Sequence, residues 1–306
     1  MRVLKGGSPA THGHATSTGT IAKYSMAEFD EALARDKVPG RDNNSHELGN
    51  PSFYGTASFD ESEELRKYGD TKSMNMIAKA KKQADKAFIT QGGKAIKHFN
   101  DIAGFQPIVA NAIIGLPKSM INAKRIPRKV RTIQVLINTS VPGGVNGSHI
   151  IERGAYMLAM IDVLERSGYR CEVYAGKVSW VNSLHQSVGY LVKLKEASAQ
   201  LSIKKLAYYL VSPSSNRRTG FAINENEPLI PDITDAGYGS GADTDKVRAC
   251  LRELALGENT VIIDAGNVLD PSDSEENKVE HMKSAFAKAA PELGWVHYDT
   301  NDGDEN

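Results

Sequence analysis

From residue 131 onward the apolar positions alternate between two rhythms. Thr132 to Ile137 is a β-branched run, followed by the Gly-rich loop Pro142 to Gly147. Ile150, Ile151, Ala155, Leu158, Ile161 and Leu164 then recur at helical spacing, and Cys171 to Tyr174 is a second strand-like run. This spacing predicts a β–loop–α–β unit with the polar loop at the carboxyl end of a strand, where open α/β sheets bind ligands. Ser148 is the expected N-cap of the helix and Gly168 its closing residue. Glu152 and Glu165 fall off the apolar stripe and are expected to face water. Val188 to Leu194 predicts a third strand, and LSIKKLAYYLVSP a helix that starts from Ser202 and stops before Pro213. NRRTGFAINENE is expected to lead into a loop containing AGYGSGADTD. Asp245 to Leu256 predicts a helix with Val247, Leu251 and Leu254 as its stripe, and NTVIIDAG a buried strand. Residues 274–290 predict a polar helix, and DTNDGDEN is an acidic tail.

Before residue 131 the pattern is less regular. Residues 1–20 are rich in Gly, Ser, Thr and His and are expected to form a flexible arm, with His12 and His14 solvated. Met26 to Lys37 predicts a short helix, followed by a turn-rich loop. Ser58 or Ser62 is the expected cap of the helix in ESEELRKYG, with Gly69 at its C-terminal end. Ser73 to Phe88 predicts a helix with Met74, Ile77, Ala84 and Phe88 on one side and Lys79, Lys81, Lys82 and Lys86 on the other. GFQPIVANAIIGLP, apolar and punctuated by prolines, is expected to be a buried segment docking the two halves of the chain.

Composition narrows the class. At 306 residues, with a formal net charge of zero, the chain suits one large or two ordinary globular domains. Bulk charge favours neither nucleic acid nor a membrane surface. The two cysteines, Cys171 and Cys250, have no paired spacing, which argues against a disulfide scaffold and for a reducing cytoplasm. No apolar run approaches the ~20 residues of a membrane span, and the N-terminus shows no secretion signal. The neutral total conceals an uneven distribution: between Lys72 and Arg131 only Asp85 and Asp101 are acidic. Lys79, Lys82, Lys86, Lys124, Arg125, Arg128, Lys129 and Arg131 are candidate phosphate-backbone contacts. The alternative is a solvated face plus a basic linker, and the scarcity of aromatics argues against a dedicated single-strand binder.

The strand-end loops supply the other candidates. PGGVNGS opens a helix with a run of backbone N–H groups that suits a phosphate, but it is neither a Walker A loop nor a regular GxGxxG. His149 beside Ser148 and Ser140 does not have the spacing of a nucleophilic triad. Asp243-Thr244-Asp245 is either an added ligand or a helix cap.

Asn138-Thr139-Ser140-Val141-Pro142 after the first strand, with Ile263-Asp264-Ala265-Gly266 after a late one, resembles the metal-binding loops of von Willebrand factor A domains. The resemblance covers residues 131–270. It implies a Rossmann-like sheet and a divalent cation such as Mg²⁺ held at Asn138, Ser140 and Asp264. Asn138 stands where that family has Asp, and Pro142 where it has a second Ser, so the resemblance implies a degenerate version without a bound metal. IIERGAYMLAMIDVLERSGYRCEVYA, IKKLAYYLVSPSSNRRTGFA and FYGTASFDESEELRKYG are also similar to an uncharacterised family of tailed bacteriophages, which implies a phage origin and a host cytoplasmic location.

The fold class expected is α/β, a Rossmann-like sheet with flanking helices over residues 131–270. An irregular helix-containing part (1–130) precedes it, and a polar helix and acidic tail (271–306) follow. The function expected is a non-enzymatic interaction module for a phage or host protein. Its ligand rim is expected to comprise Asn138, Thr139, Ser140, Gly143, Gly144, Asn146, Ser148 and Asp264. A nucleic-acid-binding accessory factor and a metal-dependent hydrolase are the alternatives. No cofactor other than Mg²⁺ is suggested.

Overall fold

The computed structural model describes residues 2–6, 19–41, 45–87, 96–125, 131–166, 169–233, 238, 244–254, 260–263, 272–274, 276–281 and 284. In chain order the elements are β1 (Arg2–Gly6), β2 (Gly19–Ser25), α1 (Met26–Leu33), α2 (Pro51–Tyr54), α3 (Phe59–Tyr68) and α4 (Met74–Ala87). They continue with β3 (Ile96–Asp101), β4 (Gln106–Pro107), α5 (Val109–Ile113), β5 (Met120–Arg125), β6 (Arg131–Asn138), α6 (Gly147–Arg166), β7 (Tyr169–Gly176) and β8 (Val178–Val181). The last are β9 (Gln186–Lys195), α7 (Ile203–Val211), α8 (Gly220–Asn226), α9 (Thr244–Glu253) and β10 (Thr260–Ile263).

A seven-stranded mixed sheet runs β1-β2-β9-β7-β6-β10, with β8 pairing on β9. β6 is parallel to both β7 and β10, and β9 is antiparallel to β7. Period-two alternation in β6 sends Ile133, Val135 and Ile137 to one face and Leu136 to the other. The first face is covered by α1, α4, α6 and α7, and the second by α9 through Val247, Leu251 and Leu254. Helices on both faces of a sheet with a parallel core make a Rossmann-like α/β arrangement.

The expected N-terminal part is built into this sheet. β2 pairs in parallel with β9, from Gly19 opposite Ser187 to Ser25 opposite Lys193, so the sheet itself crosses the boundary expected at residue 130. Within the expected flexible arm, Arg2–Gly6 instead forms a strand antiparallel to β2, whereas His12 and His14 lie outside the described residues. Ser25 and Glu28 form a capping box at the start of α1. Ser58, not the buried Ser62, caps α3, and Gly69 ends it.

α6 is buried almost all round, from Glu152 to Leu164. The sheet lies under it, and α4 and α7 pack against it. A Cβ at Gly154 would collide with the carbonyl of Leu210, so only glycine allows the α6–α7 contact. Glu152 therefore does not face water: it is 3% exposed and takes the ammonium of Lys278 at 2.6 Å. Glu165, also expected at the surface, accepts from the Cys171 amide at 2.7 Å and pairs with the buried Lys195 at 2.9 Å. Ser148 lies exposed in the first turn of α6, which begins at Gly147, so Ser148 is not the cap.

One further expectation is reversed. The 104–117 segment is exposed. It belongs to a small separate sheet of order β3-β5-β4, with α5 between β4 and β5. The stretch from Ser212 to Glu227, to which the sequence pattern assigns no element, is helical and buried. After Pro213 the chain forms a π-helical turn, Ser215–Thr219, that runs into α8, and nearly every residue is buried. Gly168 lies outside the described residues.

Candidate functional site

The carboxyl ends of β6 and β7 meet the π turn. Asn138, the last residue of β6, is held from several directions. Its side-chain N–H donates to the Val178 carbonyl at 2.8 Å, and its side-chain oxygen accepts from the amides of Ser140 and Val178 at 3.0 and 3.1 Å. Arg153 donates to the Asn138 backbone carbonyl at 2.7 Å. Thr139 Oγ1 donates to the Gly176 carbonyl at 3.0 Å, and Ser140 Oγ lies 3.0 Å from Ser179 Oγ. These side chains are buried and already engaged, so they lock β6 to β7 and β8 rather than form a rim. An amide suits this position because it donates and accepts at once, whereas an ionised carboxylate only accepts.

The exposed remainder of the expected rim is Gly143, Gly144, Asn146 and Ser148. Asp264 and Asp243 lie outside the described residues. Among the described residues no group of three or more His, Cys, Asp or Glu side chains is placed to hold a metal ion.

Beneath the Gly-rich loop lies a cluster of buried cations. Arg217 is 2% exposed and donates to the carbonyls of Phe53, Pro142 and Val145, with its guanidinium 3.9 Å over the Phe53 ring. Arg218 donates to the backbone of His46, Leu48 and Thr56, and Arg41 to that of Asn224, Glu227 and Ile230. Together these guanidinium groups fasten the turn-rich loop to the π turn and α8. Lys177, between β7 and β8, is 4% exposed, and its ammonium lies 4.5 Å over the Phe221 ring and 5.5 Å from that of Tyr238. Desolvation, reinforced by the nearby charge of Arg217, pulls the Lys177 amine down to about 7. Burial likewise pulls Arg217 down to about 10. Tyr238 stacks on Phe221 at 4.3 Å and donates to Glu225 at 2.7 Å. Glu225 also faces His46 at 3.0 Å, and these partners hold its carboxyl below the usual range although burial acts to raise it.

None of Lys177, Arg217, Phe221 and Tyr238 is among the expected site residues. One signal was available: Lys177 is a lone charge between the apolar runs VYAG and VSWV. Ser212 to Glu227 offers none, because its polarity imitates a loop. π turns are rare and often mark functional sites.

Around α4 several charged side chains are paired. Lys72 pairs with Glu61, Lys81 with Asp162 at 3.0 Å, and Asp85 with Arg166. Lys79 and Lys82 are exposed on α4. The side chains of Lys86, Lys124, Arg125 and Arg131, and all of Arg128 and Lys129, lie outside the described residues. No helix among the described residues is long and apolar enough to cross a membrane.

Fold and cluster together define an α/β protein with a Rossmann-like sheet and a buried cationic centre at its strand ends. The chain belongs to the family described as a domain of unknown function (DUF7192), which matches residues 17–289. No curated protein and no solved structure matches it.

Proposed function

We propose that the protein is a non-enzymatic interaction module that docks on a partner protein through the flap formed by β3, β4, α5 and β5. The observation behind this is a concentration of exposed apolar side chains: Ile102 is 73% exposed, Phe105 62%, Val109 63%, Ile113 79% and Ile114 69%. Isolated exposed apolar residues are ordinary, but a group on one small element marks an interaction surface. Among the described residues the strands of the flap pair with one another and not with the main sheet. Phe105 and the paired isoleucines are side chains of the kind that anchor interfaces.

The partner we propose is a phage or host protein with an apolar surface edged by acids. Within 96–125 the sequence has Lys97, Lys118, Lys124 and Arg125 against the single acid Asp101, so an acidic rim is the complementary one. The similarity to a tailed-phage family points the search to infected cells. The flap takes over the role expected of the strand-end loops, because Asn138, Thr139 and Ser140 have their polar groups engaged internally.

The test replaces Phe105, Ile113 and Ile114 together with Gln. The variant should melt like wild type, since these side chains make little of the core. It should lose a complex that wild type forms in infected cells and that purified components reproduce. A variant that keeps the complex removes the flap from the account. Binding of wild type to lipid vesicles in place of a protein would assign the flap to a membrane surface instead.

A further inference from the structure

Lys177 and Arg217 are neighbouring buried cations, and among the described residues no carboxylate faces either of them. Arg217 has carbonyl acceptors, whereas Lys177 has only the ring faces of Phe221 and Tyr238. Lysine is almost never buried without a partner, and ring faces replace only part of the lost hydration. Two like charges at low dielectric also repel each other. Two buried amides of the adjoining π turn and α8 also carry unpartnered atoms. Asn216 has a buried side-chain oxygen without a partner. Asn224, one turn after Phe221 on α8, has both its amide oxygen and nitrogen buried without one. Nothing stands within 4 Å of the Cβ positions of Gly143 and Gly144 in the loop above.

We propose that Lys177 and Arg217 form a recognition site for one oxyanion group, phosphoryl or carboxylate, of a small ligand bound beneath the Pro142–Val145 loop. An anion there neutralises two buried positive charges and supplies the hydrogen-bond acceptor that Lys177 lacks. Arg217 binds the carbonyls of the loop itself, so the cation that meets the ligand also positions the backbone above it. The Phe53 ring lies against Arg217 and the stacked Phe221 and Tyr238 rings against Lys177, so an anion that meets both cations sits beside aromatic side chains. The site is independent of the flap and stands or falls without it.

Calorimetric titration of the full chain with phenyl phosphate and with benzoate, each against chloride of equal ionic strength, tests the proposal and distinguishes the two anion classes. We expect one of them to bind with a single site per chain. In Lys177→Met its affinity should fall at least ten-fold, while the ligand-free variant is as stable as wild type or more so, because an unpaired buried charge is gone. A lysine that only clamps the two rings predicts the opposite, a less stable variant and no anion effect. Should Lys177→Met fail to fold, amide exchange on wild type decides: the anion must slow exchange at 142–147 and 216–224. The proposal is overturned if neither anion binds, if Lys177→Met binds as wild type does, or if the protection lies elsewhere.

Discussion

Breaking the ion pair between Glu152 and Lys278 examines the packing of α6 at a position where the helical stripe suggests solvent. Both side chains are 3% exposed, and Oε1 and Nζ are 2.6 Å apart. Removing one partner from a pair that stays buried costs about 3–5 kcal/mol, because the other charge is stranded. Glu152 cannot move, since its neighbours on α6 are buried up to Leu164. Lys278 sits on the short helical stretch 276–281, which contributes one other buried apolar side chain, Val279. Detaching that stretch lets water reach Glu152 and forfeits about 1.5–3 kcal/mol of Val279 burial. The cheaper route is taken, so Lys278→Met and Glu152→Gln should each cost about 2–4 kcal/mol. The double replacement Glu152→Leu/Lys278→Met buries no charge and should lie within about 1 kcal/mol of wild type. Urea denaturation of wild type, the two single variants and the double replacement measures these differences. Amide exchange should report detachment of 276–281 in the single variants only. Effects of about 0.5 kcal/mol in both singles, the scale of an exposed ion pair, would refute the reasoning.

Other expectations are as direct. Leu158 is fully buried on α6, so Leu158→Ala should cost about 2–5 kcal/mol by the same denaturation measurement. Lys177 holds its proton less tightly in the folded protein, at about 7, than in the unfolded chain, near 10.5. The unfolded chain therefore binds more protons in that window, and Lys177 makes stability rise with pH from about 7 to 10.5. Comparing denaturation of wild type and Lys177→Met at several pH values isolates this term from Cys171 and Cys250, whose raised thiols act in the opposite sense. For the nucleic-acid alternative, Lys79→Gln/Lys82→Gln should flatten the salt dependence of binding by ~0.9 in log–log slope per lost duplex phosphate contact. Absence of wild-type gel shifts at low salt removes that alternative.

The sheet was legible where one face decides burial. Alternation in Thr132 to Ile137, the stripe of Val247, Leu251 and Leu254, and the short run Thr260–Ile263 all lie where the patterns predict. Hydrophobicity misled at 104–117, because an apolar run does not state whether it faces its own core or a partner. Polarity left Ser212 to Glu227 without an assigned element. That run is buried because Arg41, Arg217 and Arg218 are satisfied by carbonyls contributed by distant loops, and such long-range pairing leaves no periodic trace. Glu152 misled for the same reason: its partner is 126 residues away. At the strand ends Asn138 and Ser140 are expected on a ligand rim, but their side chains bond to β8, which the pattern does not reveal.

The parallel pairing of β2 with β9 also has a bearing on assembly of the chain. β2 leaves the ribosome early, whereas its partner strand, Gln186–Lys195, follows more than a hundred and fifty residues later. An emerging β2 therefore has no native neighbour in the sheet beyond β1 while most of the domain is being made. Closing so long a loop is slow, and the waiting hairpin of β1 and β2 offers an open edge to other chains in the meantime. The topology therefore predicts an order of events against the order of synthesis: β1 and β2 join the sheet after the β6–α6–β7 unit and β9 have formed a template.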